Sequence, residues 1–433
     1  MIKSIKSLSL LSVGSFVSSG SAFLIYTILA REIGPESFGV FSSSMAIMKM
    51  FLLIGGFGVP QLWLKVFGKE GWEAIRWIRP SIKFVLLSFV LILISILILV
   101  FFIPNDGSTK FLLLILFLFI LGNVSVQLVS SKLQLEERYG VLALWQLTPN
   151  LLRLLIVVLI FYVFDLSLKE KGVGVVYGVI GLVFVILASK ELILMLQGNF
   201  LLKGHSEQKK DKTLQSLSLK KVLYEAWPFG AATLFAFIYM QSDIIMVKYM
   251  MGNEAAGYYN ISFVVLSALL LIPTILFSKF LLPKYHRWAN KDRGKLYRTY
   301  KKGNLIMIVT GSCCMLIIFL LSPFFIPLIF GEEYLPAVNL FKILSISLPI
   351  SFLSYSIGAT LVTNEHMKLK VKLMGSVALF NIVCNLFIIP KYGAIGAAIS
   401  TVVSNMLLLI LYYYNAQKRV FKKGSSEYNF KKS

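Results

Sequence analysis

The chain has 433 residues, 57% of them hydrophobic and only 15% charged, with a mean hydropathy of +0.80. Soluble domains run nearer half apolar and a quarter charged, so an ordinary soluble enzyme or binding domain is excluded. The net charge of +23 is broken up by long apolar runs instead of being gathered on a polar domain, which points to membrane topology and away from nucleic acid.

Lys3 and Lys6 precede an apolar stretch that continues to Ala30 with further apolar runs behind it, so it reads as a first transmembrane helix and not as a signal peptide. A helix needs about 20 apolar residues to cross the hydrocarbon core. Division at charge and turn clusters predicts twelve spans: 9–30, 40–63, 82–104, 111–131, 141–164, 172–196, 222–248, 257–281, 303–329, 339–363, 373–389 and 393–415. With span-end residues assigned to the nearest link, 34 Lys and Arg fall in the termini and even-numbered links and 6 in the odd-numbered links. This asymmetry predicts that both termini are cytoplasmic. The external links, about ten residues or fewer, leave no room for a folded external domain.

The predicted domains are an N-terminal six-helix bundle (1–196), a basic cytoplasmic linker (197–221), a C-terminal six-helix bundle (222–415) and a basic cytoplasmic tail (416–433). The linker carries Lys203, Lys209, Lys210, Lys212, Lys220 and Lys221; the tail carries Lys418, Arg419, Lys422 and Lys423, placed to meet anionic lipid heads. The halves share a local pattern. Gly34-Pro35-Glu36-Ser37-Phe38-Gly39-Val40-Phe41 follows the first span, and Gly252-Asn253-Glu254-Ala255-Ala256-Gly257-Tyr258-Tyr259 follows the seventh. At the same offset of 218 residues, the break-prone Gly55-Gly56-Phe57-Gly58-Val59-Pro60 corresponds to Pro273. Six spans and six in the same orientation predict an all-α polytopic fold, two pseudo-symmetric bundles around a central cavity, and transport by alternating access.

Four stretches carry a family resemblance. Ala30-Arg31-Glu32-Ile33-Gly34-Pro35-Glu36-Ser37-Phe38-Gly39 is the first. Then come Gln241-Ser242-Asp243 through Tyr258-Tyr259-Asn260, Phe330-Gly331-Glu332-Glu333-Tyr334-Leu335-Pro336-Ala337, and Pro390-Lys391-Tyr392-Gly393-Ala394-Ile395-Gly396-Ala397-Ala398. In this order the chain resembles the bacterial polysaccharide-transport proteins, the O-antigen flippase branch of the multidrug/oligosaccharidyl-lipid/polysaccharide exporter superfamily. The resemblance implies an inner-membrane flippase that moves an undecaprenyl-diphosphate-linked oligosaccharide to the outer leaflet through a V-shaped pair of bundles. It also implies a polysaccharide polymerase and a chain-length regulator as partners, besides membrane lipids.

Ionisable residues inside spans default to functional candidates. Arg153, deep in span 5 after Gln146, Thr148 and Asn150, suits a diphosphate through its planar fork. Lys49 lies mid-span 2, and Lys342 within a turn of the external end of span 10, where snorkelling competes with substrate contact. Asn123 and Gln127 share one face of span 4 and could line a sugar path. Asn381 and Asn385 share a face of span 11 and read as interhelical hydrogen bonds. Asp243, the only acid well inside a span, is the candidate for a coupling ion, proton or sodium, with a structural salt bridge to Lys248 or a neighbouring helix as the alternative.

The remaining residues predict no metal, no cofactor and no catalysis. Cys313, Cys314 and Cys384 fall in apolar runs, and His205, His286 and His366 lie in polar links without metal-ligand spacing. A polymerase or glycosyltransferase would need catalytic groups on longer links, and no Gly-rich nucleotide loop exists for direct ATP drive. A drug antiporter would place acids in its cavity, against the excess of intramembrane bases. A peptidoglycan lipid-precursor flippase shares the lipid diphosphate, though it usually has extra helices.

Overall fold

A computed structural model describes residues 2–164, 169–203, 217–281, 284–285, 288, 292–361 and 367–421. The three histidines, Lys209, Lys210 and Lys212 of the linker, and Lys422 and Lys423 of the tail lie outside them. The described residues form helices and no strand, as hydrocarbon requires, because a helix satisfies its own backbone groups. In chain order these are α1 (Ile2–Gly56), α2 (Val59–Glu70), α3 (Ile78–Phe102), α4 (Gly107–Leu135), α5 (Tyr139–Val158), α6 (Glu170–Leu196) and α7 (Leu219–Met251). There follow α8 (Asn253–Leu269), a single turn α9 (Leu271–Pro273), α10 (Arg293–Phe330), α11 (Ala337–Ser345), α12 (Ser347–Thr360) and α13 (Met367–Asn415).

Apolar stretches are long enough to cross a membrane in nine places among the described residues. The first, Val13–Phe102, runs through α1 to α3, and the last, Lys368–Phe421, runs through α13. The protein is a multi-pass membrane protein. Helix α3 shows how: Val85, Ser88, Ile92 and Ile96 are buried at helical spacing, while Leu87, Leu91, Ile94 and Ile98 are exposed. An apolar outer face is what lipid contact demands.

Two long helices are bent by glycine. α1 turns at Gly34 (φ 73°, ψ 169°) ahead of Pro35, and α13 at Gly393 (φ 60°, ψ −147°). Gly252, between α7 and α8, has φ 95° and ψ 176°, close to the Gly34 conformation. The shared Gly-x-Glu pattern therefore encodes the same local backbone twice, in a region that is essentially closed to residues with a Cβ. The glycine run of span 2 breaks the helix: α1 ends at Gly56, Phe57 has φ 23°, and α2 begins at Val59. Hydroxyls from neighbouring helices donate to carbonyls at the break. Ser88 of α3 donates to the Gly55 carbonyl at 2.9 Å, and Ser131 of α4 to that of Pro60 at 3.0 Å, so the backbone groups at the break are not left bare in the membrane.

The chain divides into two compact units, Met1–Leu234 and Phe235–Ser433, with the boundary inside α7. In the first, α4 and α6 touch backbone to backbone where Gly122 meets Gly181, the close approach that drives helix association in lipid. At one end of α4, buried Lys132 forms ion pairs with Glu136 (3.3 Å) and with Glu191 of α6. In the second unit, α10, α12 and α13 pack around Tyr300, Ile357, Leu361, Val377, Leu408 and Tyr412.

Candidate functional site

Each unit buries an ionisable side chain among polar and aromatic neighbours. In the first, α5 carries Arg153 inward with only 4% of its surface exposed. Its guanidinium lies 5.0 Å from the ring centre of Phe119 on α4 and 4.9 Å from that of Tyr177 on α6. Nη1 donates to Asn150 Oδ1 at 2.9 Å, and Asn150 in turn donates to Ser18 of α1 at 2.9 Å. Nε is buried without a partner. Lys49 of α1, half-buried, donates to the Tyr26 hydroxyl at 3.2 Å and sits 5.3 Å from that ring's centre.

One chain of aromatic rings joins the two cations. Tyr26 packs on Phe41 (6.3 Å), Phe41 on Tyr177 (5.3 Å) and Tyr177 on Phe119 (5.8 Å). Among the described residues no carboxylate pairs with either Arg153 or Lys49. Cation–π contact contributes about 0.5–2 kcal/mol. Keeping a charge away from water costs several kcal/mol per ion, on the order of the whole stability of a small domain. Two like charges in one low-dielectric cluster, with only rings, amides and hydroxyls around them, make a site that an anion would complete.

The other predicted residues are distributed differently. Asn123 donates to the Phe119 carbonyl of its own helix at 2.9 Å, so its amide is partly committed to the backbone. Gln127 lines a separate cavity beside the start of α2. Lys342 belongs to the second unit, on α11, with Nζ 5.4 Å from the ring centre of Phe319 on α10.

In the second unit Asp243 of α7 is buried with 2% exposure. Its carboxylate accepts from Tyr259 of α8 at 2.8 Å, from Asn385 Nδ2 at 2.6 Å, and from the Thr401 hydroxyl, the last two on α13. Asn385 also donates to Asn381 Oδ1 at 3.2 Å, and Ser242 to the same oxygen at 3.4 Å. Asn381 and Asn385 thus serve the Asp243 network as well as tying helices. Asn381 Nδ2 and Asn385 Oδ1 remain buried without partners. Asn381 and Thr401 open onto a cavity of about 180 Å³ that also meets Lys370, Asn405 and Tyr412. Sequence reasoning passed over Tyr259 and Thr401. Tyr259 stood within a family-like stretch, but nothing in Thr401's surroundings marks it before α13 is folded against α7.

The sequence profile of the family described as "Polysaccharide biosynthesis protein" matches residues 4–285. The capsular polysaccharide biosynthesis protein CapF of Staphylococcus aureus is 25% identical over 179 residues, which are 41% of this chain and 44% of that protein. The chain thus spans less than half the length of this relative in the matched region. The lipid II flippase MurJ in an inward closed conformation superposes with a TM-score of 0.69 at 17% identity, covering 94% of this chain and 87% of that one. An inward-facing multidrug resistance MATE family transporter of the MOP superfamily gives 0.69 at 15% identity, covering 98% and 100%. At these identities the likeness is one of fold.

Proposed function

The chain belongs to the polysaccharide biosynthesis protein family, and we propose that it is a flippase for undecaprenyl-diphosphate-linked oligosaccharides such as O-antigen repeat units. It works in the inner membrane by ion-coupled alternating access, with twelve crossings and both termini cytoplasmic. The observation that carries this reading is the pair Arg153 and Lys49, without a carboxylate partner among the described residues and held in an aromatic cluster between α1, α4, α5 and α6. An arginine fork and an ammonium together match a diphosphate in charge and in acceptor geometry. A cationic drug would be repelled from the same centre, which sets the drug-antiporter reading second.

No covalent bond is made or broken, so the protein's task is to lower the cost of carrying a charged, hydroxyl-rich head through hydrocarbon. Arg153 and Lys49 meet the diphosphate oxygens, and the surrounding rings keep these contacts in a low dielectric, where each is worth more. Asp243 supplies the coupling step, gaining and losing a proton or sodium ion as its α13 partners approach and withdraw. A peptidoglycan lipid precursor carries the same diphosphate, and the likeness of fold to MurJ supports it as an alternative lipid-linked substrate.

Arg153→Ala tests this reading. Surface polysaccharide should fall at least tenfold while the protein remains at normal level in the membrane, and Arg153→Lys should restore only part of it, because an ammonium lacks the fork. Normal polysaccharide with Arg153→Ala would remove the anion centre from the mechanism.

A further inference from the structure

The first unit contains a polar cavity of about 380 Å³, where the start of α2 meets α4 and α5. That is within the range of small-ligand sites, about 300–1,000 Å³. Four side-chain amides line it, those of Gln61, Gln127, Gln134 and Gln146, together with Ser130 and Ser131. No charged side chain does. Gln61 and Gln146 are exposed and Gln127 and Gln134 half-buried, so the cavity opens outward and is not sealed in the core. Ser131 is committed, donating to the Pro60 carbonyl and so pinning the start of α2 as one wall. Ser130 Oγ is buried with no partner. Among the described residues none of the four amides makes a side-chain hydrogen bond to another residue.

Uncommitted amides on membrane helices are expensive unless they face water or a polar ligand. Each presents two N–H donors and one carbonyl acceptor. A lining that both donates and accepts, and carries no charge, does not select an ion or a cationic drug. It matches a neutral molecule rich in hydroxyls, since each hydroxyl is also both donor and acceptor.

The cavity is aligned with the anion centre of the same unit. On α5, Gln146 precedes Arg153 by seven residues, which puts them on one face about 10 Å apart along the axis. On α4, Gln134, Gln127 and Asn123 lead, at intervals of seven and four residues, to Phe119, the ring under Arg153. We propose that this amide-lined cavity is the sugar subsite, taking the hydroxyls of the sugars joined to the diphosphate that Arg153 and Lys49 hold. The inference rests on the flippase reading and deepens it.

The test is binding to the purified chain in lipid nanodiscs, with two probes: undecaprenyl diphosphate without sugar, and the undecaprenyl-diphosphate-linked oligosaccharide extracted from the producing cells. Replacing Gln127→Leu together with Gln146→Leu should weaken the sugar-bearing probe about tenfold, the effect of one or two lost hydrogen bonds, and leave undecaprenyl diphosphate bound as before. The single change Gln146→Leu, at an exposed position, should show a smaller loss of the same kind if the double variant does not fold. Unchanged binding of the sugar-bearing probe, or equal loss of both probes, would overturn the sugar subsite. Arg153→Ala separates the two claims: it should weaken both probes, and if it weakens neither, the flippase reading fails whatever the glutamines do.

Discussion

Arg153 is held by two rings and one amide, with no counter-ion among the described residues, and its proposed role in anion binding rests on this combination. A structural arginine in a membrane normally meets a carboxylate or several carbonyls; here Nε has no partner at all. Asp243 presents the opposite case, a carboxylate surrounded by donors from α8 and α13. Asp243→Asn keeps the shape and removes the charge. Translocation by the reconstituted protein should then cease to respond to an imposed proton or sodium gradient, while undecaprenyl diphosphate still binds. A full gradient response in that variant would make Asp243 a structural residue. Both residues were legible in the sequence, because a charge inside an apolar run stands out by itself. Their surroundings were not. Phe119, Tyr177 and Thr401 are unremarkable in apolar segments, and only the folding of α4 and α6 on α5, and of α13 on α7, turns them into partners.

Among the helices, the breaks carry the design. Gly34 and Gly252 adopt nearly the same left-handed extended conformation after the first helical segment of each half. Gly34→Val and Gly252→Val should each cost about 1–3 kcal/mol through backbone strain, seen as a fall in the apparent melting temperature of the detergent-solubilised protein. Unchanged melting would show that the backbone relaxes at no cost and that the shared motif is not a conformational requirement. Repetition of the motif was visible in the sequence because glycine, unlike an apolar side chain, has few substitutes at positive φ. The run Gly55-Gly56-Phe57-Gly58 announced a break in the same way. What the sequence could not announce was how that break is satisfied. Ser88 and Ser131 come from helices more than thirty residues away in the chain, and serines in apolar helices have many uses. The amide-lined cavity was partly legible for a related reason. Gln127 was singled out by its spacing from Asn123, whereas Gln61, Gln134 and Gln146 lie on three different helices and converge only when α2, α4 and α5 pack.

For the whole molecule, the distribution of charge and the apolar runs are properties of composition summed along the chain, so a multi-pass membrane protein could be read before any helix was placed. The family and the fold agree with that reading, through the profile that matches residues 4–285 and the likeness to MurJ and the MATE transporter over nearly the full length. A glycan subsite of the kind proposed, by contrast, leaves no mark in composition, since a few amides and hydroxyls scattered over several helices would make it up. The central claim concerns the leaflet in which the lipid-linked sugar resides. The most direct measurement is therefore the transbilayer position of the lipid-linked oligosaccharide in host cells with and without the gene, read by its accessibility to a glycan-modifying reagent that cannot cross the membrane. The account predicts that without the protein the repeat unit accumulates on its lipid at the cytoplasmic face and surface polymer is lost, both being restored when the chain is expressed again. Repeat units still displayed at the outer face in cells that lack the protein, with surface polymer intact, would contradict it.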